Sequence, residues 1–268
     1  MEFYKMHGCG NDFCVIEYQE GVDYAKLSVK LCDRRFGVGA DGLIVVKKKP
    51  LEMIFYNQNG SRASMCGNGI RCFAKYVYDK KWVTSKKFEC LTLAGVMKLE
   101  ITSENPFLCK VDMGKPAFNN SLIYVSDPLD SFGRMMTIEG YTITTYSFFM
   151  GTIHTVLFVT SLDSELLKHA EKICKHRLFK RQTNVNFVHL IDDEHIEIKT
   201  YERGVGWTLA CGTGACASVV TCSRLKLTKN KVEVQLAHGS LHIEVTRKGN
   251  VLMEGPAVLS YIGNIKEE

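Results

Sequence analysis

The sequence predicts an α+β protein made of two pseudo-symmetric αβ halves, residues 1–115 and 116–268, with a site in the cleft between them and the last strand able to return to the first half. Three observations predict this. Segments that alternate apolar and polar residues between turn residues stand beside apolar helical stretches. Two Cys-Gly-x-Gly turns, at Cys66 and Cys211, each open such a helix. Their surroundings repeat 211 − 66 = 145 residues apart: Tyr56 precedes Cys66 by ten residues and Tyr201 precedes Cys211 by ten, so Asn57 matches Glu202.

Taken in order, residues 3–18 read as two short strands around a Gly-rich polar loop carrying His7, Asn11 and Asp12. Ala25 to Phe36 reads as an amphipathic helix with Leu27, Leu31 and Cys32 inward, ending before Gly37. Leu43 to Val46 and Met53 to Tyr56 are strands, and Asn57-Gln-Asn-Gly60 is a turn. The Cys66 turn then opens a helix to Tyr78. Upstream, Phe36 with Gly-Val-Gly-Ala-Asp after it matches Phe179 with Lys-Arg-Gln-Thr-Asn after it, 179 − 36 = 143 apart.

Residues 88–102, 107–113 and 136–146 read as antiparallel strands, and 148–159 as a strand broken at Gly151 with His154 just beyond. Ser164 caps a helix running to His176. The Cys211 turn opens the helix Ala215 to Leu225. Strands over 231–237, 240–246 and 251–254 follow, with Gly255-Pro256 before the last one.

At 268 residues and 46% apolar content the chain can bury a sizeable core. Its net charge of +5 comes from scattered basic pairs and triplets without interleaved aromatics, which predicts a solvated surface and no nucleic-acid partner. No basic segment followed by an apolar core opens the chain, and no apolar run is long enough to span a bilayer, so the expected location is cytoplasmic with no membrane partner. Eleven cysteines in a chain of this length read as reduced thiols, and with no Cys-x-x-Cys pair a metal site is not expected.

The glycines let each Cys-Gly-x-Gly turn lead into a helix, so both cysteines fall at helix N-termini. There the helix dipole and exposed N–H groups favour a thiolate near neutral pH and form a site for a small anion such as a carboxylate. Two such thiols facing one pocket suit a single reaction well: one takes a proton from one face of a stereocentre and the other returns a proton on the opposite face. Backbone donors in the two turns, Gly67-Asn68 and Gly212-Thr213, would hold the substrate carboxylate without any cofactor.

These motifs resemble the diaminopimelate epimerase family, cofactor-independent amino-acid epimerases and racemases with two catalytic cysteines. The match runs through Met6 to Phe13, Gly37 to Gly42, Asn57, Met65 to Cys72, Thr183 to Phe187, Glu202 to Gly206, Ala210 to Cys216 and Gly255 to Ala257, nearly the whole chain. The resemblance implies Cys66 and Cys211 as the proton-transferring pair and His154 and Glu202 at the reacting amino group. It implies Asn11, Asn57, Asn184 and Arg203 at the distal end of the substrate. It also implies the family's two-domain fold, in which dimers are frequent, and a small amino acid as the only partner besides a second copy.

Two positions depart from the family's pattern. Thr152 stands where an asparagine is usual, and Trp207 where a glutamate is usual. Losing an amide and an acid would leave a charged distal group unpaired at a cost of roughly 1–3 kcal/mol, whereas an indole stacks on a flat or cationic side chain. That points to an altered substrate, with histidine the first choice and diaminopimelate the alternative. The plainer account is that Trp207 packs under its own loop. From different classes, a cysteine-nucleophile hydrolase using Cys211 and His154 would not need the setting of Cys66, and a binding protein would need neither thiol.

Overall fold

The computed structural model of the protein describes residues 1–119, 123 and 132–266. The first half of the chain runs β1 (Glu2–Gly8), β2 (Asn11–Glu17), α1 (Tyr24–Cys32), β3 (Gly42–Lys47), β4 (Glu52–Asn57), β5 (Arg62–Ala63), α2 (Gly67–Asp79), β6 (Lys87–Thr92), β7 (Gly95–Glu104) and β8 (Phe107–Asp112). The second runs β9 (Phe132–Ile138), β10 (Tyr141–Met150), β11 (Thr152–Phe158), a 3-10 turn (Glu165–His169), α3 (Ala170–Cys174), β12 (Asn184–Leu190), β13 (His195–Glu202), β14 (Gly206–Thr208), α4 (Gly212–Arg224), β15 (Lys231–Leu236), β16 (Gly239–Val245), β17 (Val251–Pro256) and β18 (Val258–Asn264). Two compact units result: Met1–Asp112 with the segment from Glu254 onward, and Met113–Met253.

Each unit repeats the same sheet. In the first, β1–β2 is antiparallel, β2–β3 parallel, β3–β4 antiparallel, β4–β6 parallel and β6–β7 antiparallel. In the second, β10–β11, β11–β12, β12–β13, β13–β15 and β15–β16 follow in the same senses. The outer edge is closed alike, by β18 antiparallel to β1 and by β9 antiparallel to β10. The closing strand is thus the last in the chain for one unit and the first of the segment for the other.

Both faces of each sheet are covered, which is why strands such as β3 (Gly-Leu-Ile-Val-Val-Lys) are apolar on consecutive residues. In the first unit one face packs Cys14, Ile16, Leu43 and Val45 with Leu31 and Cys32 of α1, and α2 packs on β1 to β4. In the second, Ile153, Leu157, Val185 and Phe187 pack with Ala170, Ile173 and Cys174, and α4 packs on β10 to β13.

Four expectations need correction. The segment 148–159 is not one strand broken at Gly151 but parts of two, β10 and β11, which pair antiparallel with the chain reversing at Gly151. Helix α1 ends at Cys32 and not at Phe36, because the Asp33 side chain accepts the N–H groups of Arg35 and Phe36 and turns the chain. This leaves Phe36 90% exposed, whereas its supposed match Phe179 is buried. The match is itself out by one residue: Leu43 pairs with Tyr56 as Val185 pairs with Tyr201, so the offset there is 185 − 43 = 142. The helix expected over Ser164 to His176 is a 3-10 turn followed by five α-helical residues; Ser164 does cap it, accepting the Leu166 N–H.

Candidate active site

Cys66 and Cys211 occupy the same structural position. Each is the extended residue just before a thirteen-residue helix, Cys66 with φ −134° and ψ 121° before α2, Cys211 with φ −121° and ψ 102° before α4. Sulfur stands where a serine or aspartate oxygen commonly caps a helix.

In the first unit the Gly69 N–H donates to Cys66 Sγ at 3.4 Å, and Cys66 Sγ in turn donates to Asn11 Oδ1 at 3.8 Å. Asn11 is held from both ends: Asn68 Nδ2 donates to its Oδ1 at 3.1 Å, and its own Nδ2 donates to Asp41 Oδ2 at 2.6 Å. Behind them lies the fully buried guanidinium of Arg71, which donates to the Gly67 and Pro256 carbonyls and to Asn68 Oδ1 at 3.0–3.1 Å. Asp12 next door is bound by Lys5 at 2.6 Å and Arg34 at 2.8 Å. Burial opposes its charge, but the Arg34 and Lys5 hydrogen bonds prevail and hold the carboxyl down to about 2. Asn57 ends β4, where its amide donates to Ser61 Oγ at 2.9 Å.

In the second unit Cys211 is buried, its Sγ 3.5 Å from Thr213 Oγ1. The face of β11, β12 and β13 that bears α4 carries Thr152 and His154, Asn184 and Asn186, and Thr200 and Glu202, since alternate residues share a face. Arg203 is fixed by three bonds of 3.0 Å: its N–H to Asn184 Oδ1, and its guanidinium to the Arg181 carbonyl and Thr152 Oγ1. Glu202 Oε1 accepts from Thr208 Oγ1 at 2.8 Å. His154 is fully buried, and burial, reinforced by the Arg203 charge, pushes its ring down to about 3 and keeps it neutral.

Two groups therefore come together from the residues singled out in the sequence: Asn11 with Cys66, Gly67 and Asn68, and Thr152 with His154, Asn184, Glu202 and Arg203 on the sheet face beneath the helix that Cys211 and Gly212-Thr213 open. Trp207 is apart from both. It pairs with Tyr201 across the β13–β14 hairpin and packs on that ring at 5.5 Å and on Phe187 at 5.7 Å. Those residues lie on the opposite side of the strands from Glu202 and Thr208, where Phe187 and Tyr201 join the core behind the sheet and Trp207, 49% exposed, covers their rings. The plainer account of Trp207 fits this geometry, and Thr152 keeps a polar partner in Arg203. The two departures thus lose their force as arguments for an altered substrate.

Sequence reasoning gave no role to Arg71, Asn186 or Thr200. A signal for Asn186 was present: Asn184 and Asn186 are two residues apart in the strand Asn-Val-Asn-Phe, so their amides share one face between apolar neighbours. Among the described residues no group of three or more His, Cys, Asp or Glu side chains is placed to hold a metal ion, and no helix is long and apolar enough to cross a membrane.

Known proteins similar to this chain agree with one another. The sequence profile of the family described as diaminopimelate epimerase matches residues 3–119 and 146–260. A diaminopimelate epimerase of Caldanaerobacter subterraneus subsp. tengcongensis is 46% identical over 99% of this chain and 100% of its own length. One of Alkaliphilus metalliredigens is 40% identical over 96% of this chain and 94% of its own. Among solved structures, a phenazine biosynthesis protein of the PhzF family from Bacillus anthracis superposes with a TM-score of 0.72 at 14% identity, covering 100% of this chain and 99% of that one. A hydroxyproline epimerase from Agrobacterium vitis with bound trans-4-hydroxy-L-proline gives 0.71 at 12% identity, covering 98% and 91%. At such identities these two share the fold.

Proposed function

The chain belongs to the diaminopimelate epimerase family, and on that premise we propose that it epimerises diaminopimelate at one Cα, without a cofactor, using Cys66 and Cys211 as a thiolate and thiol pair. It is an isomerase of the PLP-independent racemase and epimerase class. The observation that carries the mechanism is the identical placement of the two cysteines ahead of two equivalent helices. One thiolate removes the Cα proton, the other thiol delivers a proton to the opposite face, and the reverse reaction exchanges their states. Amide groups in the first turns of α2 and α4 are preorganised donors for the carboxylate, whose charge grows as the Cα proton leaves.

Glu202 supplies a carboxylate for the ammonium of the reacting centre. Asn11, Asn57, Asn184 and Arg203 supply amides and a guanidinium for the distal carboxylate and ammonium, with Thr152 steadying Arg203. Histidine as substrate has no support from the relatives or from the position of Trp207. We place the reaction in the cytoplasm, on a free amino acid.

The test is isotope exchange. Purified protein in D2O is given LL-diaminopimelate, L-histidine or L-lysine in turn, and Cα deuterium is followed by mass spectrometry. Incorporation with diaminopimelate is expected. Incorporation with L-histidine and none with diaminopimelate would overturn the assignment.

A further inference from the structure

His154 and Asn186 form a hydrogen-bonded unit whose polarity can be deduced. Asn186 Nδ2 lies 3.3 Å from the Thr155 carbonyl and 3.1 Å from His154 Nδ1, while Thr200 Oγ1 lies 3.1 Å from Asn186 Oδ1. A carbonyl can only accept, so the nitrogen end of the Asn186 amide must face Thr155. The same nitrogen then donates its second proton to His154 Nδ1, which must offer a lone pair. The ring proton is consequently on Nε2. That atom is buried and has no hydrogen-bond partner among the described residues. A buried N–H left unpaired is costly, so an acceptor supplied by a ligand would be favoured there.

The amide cannot readily turn over. Helix α4 crosses it so closely that a Cβ on Gly214 would come within 2.4 Å of Asn186 Oδ1 and 3.0 Å of Thr200 Oγ1. Nothing equivalent exists beneath α2, where the matching residues are Phe13, Ile44 and Phe55.

We infer that Asn186 is a positioning residue that locks His154 in the Nε2–H tautomer, so that the ring acts on substrate as a hydrogen-bond donor to a carboxylate oxygen and does not accept a proton from the ammonium. The ammonium is then left to Glu202. This corrects the role that family resemblance implies for His154, and its kinetic arm rests on the epimerase reading above.

The test uses the full chain with 15N-labelled histidine and long-range 1H–15N correlation at pH 7, with His154→Gln to assign the ring. An unprotonated Nδ1 and a protonated Nε2 are expected. A proton on Nδ1, alone or on both nitrogens, overturns the lock, whatever the protein turns over. Heptanedioate, which is diaminopimelate without its amines, should shift the Nε2 signal, and pentane-1,5-diamine should not. A response to the diamine alone, or to neither at saturation, removes the donor role.

Asn186→Asp places an acceptor at Nδ1 and should move the proton there, with kcat down roughly tenfold or more and KM little changed. Asn186→Gln, which retains the amide, should restore part of kcat. An Asn186→Asp protein that turns over at the normal rate with its proton on Nδ1 also overturns the proposal. If Asn186→Asp fails to fold, the wild-type spectrum still decides.

Discussion

Beneath α2 and beneath α4 the chain builds the same floor from opposite materials. Under Cys66 the floor is Phe13, Ile44 and Phe55, all buried, with the two rings edge to face at 5.9 Å. Under Cys211 the same three positions are His154, Asn186 and Thr200, also buried and joined by hydrogen bonds. Topology, helix length and cysteine position are shared, so the difference is confined to side chains. It shows that the backbone repeat places the thiols, and that the floor is free to differ. One floor is a passive hydrophobic support, worth about 1.5–3 kcal/mol for each large side chain buried. The other is a polar network in which each atom is fixed by its neighbour and one donor is left over. Polarity enters the first unit from the side instead, through Asn11, Asn68 and Arg71.

The sharpest way to test the shared part is at sulfur. Cys66→Ser and Cys211→Ser should each lower kcat for diaminopimelate by about 10²–10⁴, the usual worth of general acid/base groups, with circular dichroism unchanged. Loss at only one of the two would break the equivalence and favour a single-nucleophile reaction. Steady-state epimerisation rates decide it.

The unlike floors should separate at the glycines. Gly214→Ala forces a methyl against Asn186 and Thr200 and should destabilise by about 1–3 kcal/mol. Gly69→Ala meets only Ile44 Cδ1 at 3.2 Å and the Cys66 side chain, and its better helix propensity offsets the crowding, so a change within about 1 kcal/mol is expected. Urea unfolding midpoints measure both. Equal losses would mean that the two floors are equally tight.

Acid should also tell the units apart. His154 titrates near 6.5 when unfolded and at about 3 when folded, so between those values the unfolded chain binds the extra proton and stability falls as pH falls. Asp12 is depressed from 3.8 to about 2, and its contribution is lost only in that lower window as pH falls. Replacing His154 with Gln should therefore flatten the stability profile between pH 6.5 and 3, and replacing Asp12 with Asn should change it only below about pH 4. The smallest effect is reserved for Trp207→Leu. It should cost about 0.5–1.5 kcal/mol for the lost ring contacts and leave kcat/KM for diaminopimelate within experimental scatter. A changed substrate preference in that variant would return Trp207 to the site.

The repeat was legible because it is written in spacing: ten residues from tyrosine to cysteine, and glycines where each turn enters its helix. The end of α1 was not, since the helical pattern continues to Phe36 while a single side chain, Asp33, captures two N–H groups and ends it. The offset between halves changes from 142 at Leu43 and Val185 to 145 at Tyr56 and Tyr201, because the β12–β13 hairpin is three residues longer than β3–β4, and a shared phenylalanine upstream disguised the change although Phe36 is exposed and Phe179 buried. The facing of Trp207 was not legible, because a motif position says nothing about strand parity, and one residue along a strand changes the face. Arg71 and Asn186 lay in plain view within recognised motifs, but their roles depend on which carbonyls and amides fold back against them.

The two closing strands differ in when they exist. On a ribosome, β9 is made just before the β10 edge it completes, so the segment 113–253 can finish its sheet as soon as it emerges. The β1 edge must wait for β18, made about 250 residues later, and the chain must then close a loop of that length. Through most of synthesis β1 offers an unpaired strand edge, the kind of surface that invites pairing with another chain. A chain truncated after residue 253, which lacks β18, should therefore resist protease over 132–253 while β1 remains cleavable, so that a strand made early is among the last to be secured.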